Sequence, residues 1–200
     1  GSPFSGLKPV TTASYQEHAV DDAPRKKVKD PLALKLRYAK WMEELENFEE
    51  AQANYNIVLQ ERPEDVDAIL GLARIDLVAG RRDAAEAGFR KALSLQPNSA
   101  VAKNALGQYY VAQGRLPEAL PLLREAMLGD PTNKGYRFQL AVALARSGDA
   151  TAAFPHFVQS VGEPTAHYNL GMILKSQGHT AQAEQHLRQA LTMNPEFEPA

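Results

Sequence analysis

Side chains able to do acid–base or metal chemistry are scattered along this 200-residue chain rather than gathered. The densest acidic run is Glu43, Glu44, Glu46, Glu49 and Glu50. Paired carboxylates can share proton-transfer work, yet such a run ordinarily forms an exposed acidic turn. The histidines are His18, His156, His167, His179 and His186. His179 and His186 are spaced to share a helix face, but His179 falls in a turn, and no carboxylates or thiolates complete a metal set there. Asp76 is a lone acid at an otherwise apolar register; no base or nucleophile accompanies it, and pairing with Arg74 or Arg81 accounts for it. Phosphate-cradling glycine loops, a G-x-S-x-G elbow and an H-E-x-x-H helix are all missing from the sequence. The sequence therefore predicts no catalytic residue, no metal and no cofactor.

Composition narrows the class further. Hydrophobic residues make up 44% of the chain and the formal net charge is −2, which suits a folded protein and argues against a nucleic-acid partner. Zero cysteines remove disulfides and thiolate metal sites. Cysteine-free chains occur in the bacterial periplasm or envelope and in the cytoplasm, so the compartment stays open. No apolar run approaches the roughly 20 residues that a membrane-spanning helix needs. The chain opens Gly1-Ser2 rather than Met, which reads as a tag scar, so a signal peptide or anchor ahead of it is compatible with the sequence.

What positions the side chains is a repeat. The stretch Asn104–Pro131 reads as a helix, a turn at Gly114, a second helix and a terminating Pro131. Pro63, Pro97 and Pro131 stand 34 apart, as do Ala51, Ala85, Ala119 and Ala153. Residues 1–30 show neither helical nor strand periodicity and are expected to form an extended or disordered arm. Its run Pro24–Lys29 is read as a solvated charge cluster flanked by Asp21, Asp22 and Asp30. Asp30-Pro31 is a helix start, with Pro at the position where its missing N–H costs nothing. From there, residues 31–200 divide into repeats at about 32–65, 66–99, 100–133, 134–163 and 164–197. The first has Glu46-Asn47 in place of the turn glycine. The third carries Pro121 inside its second helix, a small bend at most. The fourth is four residues short: Ala153 to Ala183 spans 30, with Gly162 offered as a left-handed cap and Pro164 as the next helix start.

Leu106, Gly107, Tyr110, Gly114, Ala119, Ala126 and Pro131 stand at the spacings of the tetratricopeptide repeat, and the chain resembles that family over about residues 32–197. The resemblance implies an all-α fold, a right-handed superhelical α-solenoid of about five antiparallel helix pairs. Each pair has one face too apolar for water and too small to be a core alone, so the pairs stack. It further implies a non-catalytic module that binds a peptide or helix of a partner protein on the concave face lined by first helices. Carried over by position, the groove residues are Leu36, Lys40 and Glu43, then Asp67, Leu70, Arg74 and Leu77. The middle repeats supply Asn104, Gln108, Val111, Phe138, Val142 and Arg146, and the last supplies Tyr168, Asn169, Met172 and Lys175. The apolar members would anchor the segment; Lys40, Arg74, Arg146 and Lys175 would orient acidic residues in it.

Two subtypes of the family do not fit. The chaperone co-factor clamp needs Lys where Leu36 stands, and the glycosyltransferase-associated Asn ladder keeps only Asn169 among Arg37, Gly71, Ala105, Gln139 and Asn169. The alternative function is a scaffold domain of a larger protein, of the kind used in bacterial envelope assembly. The stripe Leu187, Ala190 and Leu191 has no complete helix after it, which predicts self-association through the last repeat.

Overall fold

The computed structural model describes residues 30–195, which carry ten α-helices and no strand. The arm expected at 1–30, apart from Asp30, lies outside the described residues, and so does the basic run at 24–29. The described residues from Leu32 onward form one unit. Five first helices, α1 (Pro31–Glu44), α3 (Val66–Val78), α5 (Ala100–Ala112), α7 (Lys134–Arg146) and α9 (Glu163–Ser176), alternate with five second helices. These are α2 (Phe48–Glu61), α4 (Arg82–Leu95), α6 (Leu116–Gly129), α8 (Ala150–Val161) and α10 (Thr180–Met193). From α2 onward each helix packs on the next along the chain, and α5, α7 and α9 also touch across the repeats. Ala39 and Met42 of α1 join Ala51, Tyr55 and Val58 of α2 in one apolar cluster.

Local signals set the ends. Asp65, Ser99 and Asn133 cap α3, α5 and α7 by accepting a hydrogen bond from the third amide of the helix, and Asn47 and Asp149 do the same for α2 and α8. The turn inside each pair needs a left-handed residue. Gly80, Gly114, Gly148 and Gly178 supply it in repeats two to five, while Glu46 adopts φ 58° in the first.

The core is written on the second helices. Tyr55, Phe89, Leu123 and Phe157, one to each of the first four repeats, are at most 2% exposed, and burying each contributes about 1.5–3 kcal/mol. Alanines one helical turn earlier (Ala51, Ala85, Ala119, Ala153) are fully buried and let first helices approach. Two glycines are fitted to the large residues. A Cβ on Gly71 would lie 2.3 Å from the Tyr55 ring, and one on Gly107 would lie 2.7 Å from Leu123.

The fourth repeat joins the fifth through a single residue. Only Gly162 separates α8 from α9, with φ 82° and ψ 162°. That is a backbone region essentially reserved for glycine, not the left-handed helical cap the sequence suggested. α9 begins at Glu163, with Pro164 in its first turn. Pro155 is a second interior proline, in α8. At the C-terminal end Ala190 is buried, whereas Leu191 is 54% exposed; Ala190 is therefore core, not part of an open stripe.

Candidate protein-interaction face

Lys40, Leu70, Arg74, Leu77, Asn104 and Gln108, six of the predicted residues, converge where α1, α3 and α5 run side by side. They line two adjoining cavities of about 430 and 590 Å³ that share Glu43, Glu44, Arg74 and Val101. The larger has an apolar wall of Leu77, Val78, Val101, Ala105 and Ala112. Val78 and Val101 are more than half exposed. Sequence reasoning passed over both, although Val101 occupies the register of Asp67 and Val78 that of Glu44.

The charges at this end are already spoken for. Glu43 accepts two hydrogen bonds from Arg74, one at 2.9 Å, and a third from the Tyr55 hydroxyl at 2.6 Å. Burial opposes ionisation of Glu43, but hydrogen bonds from Arg74 and Tyr55, with the charges of Arg74 and Lys40, outweigh it and hold the carboxyl below its ordinary range. Burial and the neighbouring carboxylate together push the Tyr55 phenol far up. Glu43 is thus a structural tie between α1, α2 and α3, not part of an exposed acidic turn. Lys40 is paired with Asp67 at 2.7 Å. Glu44 and Glu46 are exposed on the cavity rim. Counting Lys40, Arg74, Glu43, Glu44, Glu46 and Asp67, this end carries two positive and four negative groups. Asn104 adds a buried Oδ1 with no donor among the described residues.

The remaining predicted residues divide in two. Val111, 8% exposed, belongs to the core, and so does Leu70, which is 1% exposed although it borders the smaller cavity. Phe138 lies edge-on to Phe157 with centroids 5.4 Å apart, and Val142 packs partly buried on the same cluster. Leu36 packs on the first-repeat cluster. These side chains fill contacts between helices, because a first helix in this stack is flanked on both sides. Arg146, Met172 and Lys175 are exposed, with Tyr168 and Asn169 half-buried beside them.

Two clusters away from this face escaped the sequence. His167 and His186 meet Nδ1 to Nδ1 at 2.8 Å and stack beside Phe154. Burial lowers the pKa of both, helped for His186 by His167. The two sit on different helices, so no helical spacing announced the pairing, and His179 stands apart in its turn. Between repeats two and three, Glu86 receives Arg115 and Arg90 at 2.8 Å each, and Arg115 lies 4.3 Å over the Tyr110 ring. Asp76 pairs with Arg81 at 2.8 Å, one of the two arginines expected for it. Among the described residues no group of three or more His, Asp or Glu side chains is arranged to hold a metal, and no helix is long and apolar enough to cross a membrane.

Comparison with known proteins agrees with the helix stack. Over 124 residues, half of this chain, it is 31% identical to cellulose synthase operon protein C of Escherichia coli, of whose length it spans 11%. The solved structure of YrrB, a TPR protein with an unusual peptide-binding site, is 23% identical, with 82% of this chain and 86% of that one covered and a TM-score of 0.61. A thermophilic TPR protein of Thermus thermophilus is 22% identical, with 82% and 92% covered and a TM-score of 0.64. At these identities the solved structures speak to the fold. Family models of the tetratricopeptide repeat match residues 42–109, 104–166 and 164–197, together reaching all five helix pairs. The chain belongs to the tetratricopeptide-repeat family, whose members generally serve as non-catalytic protein-interaction modules.

Proposed function

We propose that the face formed by the first helices binds a segment of a partner protein, with the cavity between α1, α3 and α5 taking its main apolar anchor. The observation that supports this most is the exposure of Val78 and Val101 on the rim of a 590 Å³ cavity with an apolar wall. Neither valine is needed for stacking. The charge pattern gives the segment a direction. Lys40 and Arg74 are neutralised by Asp67 and Glu43, so two of the four cations that the sequence assigned to orient an acidic segment are internally spent. Exposed Glu44 and Glu46 at this end favour a cationic neighbour to the anchor. Exposed Arg146 and Lys175 leave room for acidic residues farther along, towards α7 and α9. Panning a random peptide library against the protein tests the reading. Enriched peptides should pair a large apolar residue with Lys or Arg, and Val101→Arg should lose them while melting unchanged. Equal enrichment by the variant, or none by the wild type, would sink it.

A second reading is a scaffold domain within a longer protein. It is favoured by the match to a small fraction of the much longer Escherichia coli protein.

A further inference from the structure

Leu34, Tyr38, Trp41 and Leu45 follow each other at helical spacing along α1 and just past its end, and are 52%, 38%, 55% and 59% exposed. Four large apolar side chains on one helix face are unusual on a free surface. The repeat register explains what that face is built for. One repeat later, Leu34, Tyr38 and Trp41 become Ala68, Leu72 and Ile75 of α3, which pack on Ala51, Tyr55 and Val58 of α2. Two repeats later they become Ala102, Leu106 and Tyr109 of α5, all buried, with Tyr109 against Phe89 of α4 at 5.6 Å. The third step gives Tyr136, Leu140 and Ala143 of α7, which follows α6 in the stack, and the shorter last step gives Ala166, Leu170 and Ile173 of α9, which follows α8. In every later repeat, then, this face is turned to the second helix that precedes it. In α1 it stands open among the described residues.

The complementary half of that interface stands open at the other end. Leu187 of α10 occupies the register of Tyr55, Phe89, Leu123 and Phe157, all essentially inaccessible, yet Leu187 is only partly buried. Leu191 is 54% exposed at the register of Leu59, Leu93 and Met127, which pack on the core, and of Val161, which stands more open beside the shortened junction. Among the described residues, α10 is therefore a second helix with no first helix after it, and α1 a first helix with no second helix before it.

We propose that the open face of α1 in one copy of this chain receives the open face of α10 of a second copy, continuing the stack head to tail. Such a contact is heterologous and leaves an unused end on each side, so it propagates instead of closing at a dimer. The surface is separate from the cavity assigned to a partner segment, which lies on the first-helix face.

Trp41 is the sole tryptophan, so the junction reports on itself. Sedimentation velocity across a concentration series should show the mean mass rising past two copies, with Trp41 emission moving to the blue in parallel. Trp41→Arg and Leu191→Arg change exposed positions; each alone should weaken association at least tenfold with an unchanged helical melt. An equimolar mixture of the two variants has one intact α1 face and one intact α10 face, and should assemble into pairs and stop there. Four results would overturn the proposal. The wild type stays monomeric throughout. Trp41 emission is already blue at the lowest concentration without association, meaning the chain covers its own stripe. Leu191→Arg leaves association intact while Trp41→Arg abolishes it, which would indicate an α1-to-α1 contact. The mixed variants remain monomeric.

Discussion

Glu46 holds the backbone conformation that glycine holds in the other four repeats, with φ 58° against 73–91° at Gly80, Gly114, Gly148 and Gly178. An L-residue there costs about 1–2 kcal/mol, part of which glycine would return as lost chain entropy. Glu46→Gly should therefore raise stability by about 0.5–1 kcal/mol, readable in a urea titration as a higher midpoint at unchanged slope. A few residues away, Glu43 makes stability depend on acid. Its folded pKa is depressed, so its contribution is complete above the ordinary carboxylate value and is lost as pH falls through the folded value. Melts taken from neutral pH down into the acid range should show a decline that is smaller in Glu43→Gln. That variant should also start about 1–3 kcal/mol less stable at neutral pH, because Arg74 loses its charged acceptor. A variant that follows the wild-type acid curve in full would show that the tie contributes nothing.

The helices themselves were legible because their signals are local and repeated. Gly and Pro punctuation, the Asp30 cap and alanines at fixed spacing marked the pair boundaries and the shortened fourth repeat, whereas the caps at Asp65, Ser99 and Asn133 emerged with the structure. What the sequence could not separate was the groove from the core on the first helices. Leu70 and Val111 carry the same residue types as exposed positions on the first helices, and only the closeness of flanking helices decides that they are covered. Contacts such as His167 with His186, or Glu43 with Tyr55 and Arg74, depend on which rotamers meet across a helix crossing, and no spacing rule encodes that. The close approach can be tested. Ala119 is fully buried, and its carbonyl lies 3.5 Å from where a Cβ on Gly107 would stand. Ala119→Leu should lower stability by about 1–3 kcal/mol through overpacking; an unchanged melting temperature would move Ala119 out of that contact.

At the scale of the whole chain, a solenoid has no single centre: each pair leans on its neighbours, and stability is close to a sum of repeat and interface terms. That arithmetic treats repeats as equivalent, and by backbone they nearly are. The first helices α3, α5 and α7 open at Val66, Ala100 and Lys134, and the second helices α4, α6 and α8 at Arg82, Leu116 and Ala150, one constant interval throughout. Glu43 breaks the equivalence. Its register holds Leu77, Val111, Ala145 and Lys175 in the later repeats, and the register of Arg74 holds Gln108, Val142 and Met172. If the second repeat were exchanged for the third, Glu43 would face Gln108 in place of Arg74 and lose its counter-ion. Tyr55 in turn requires Gly71, whose register in the third repeat is Ala105, carrying the very Cβ that the tyrosine ring excludes. The first two repeats are thus keyed to one another like a lock with one bitting: the modules share a period but cannot be shuffled.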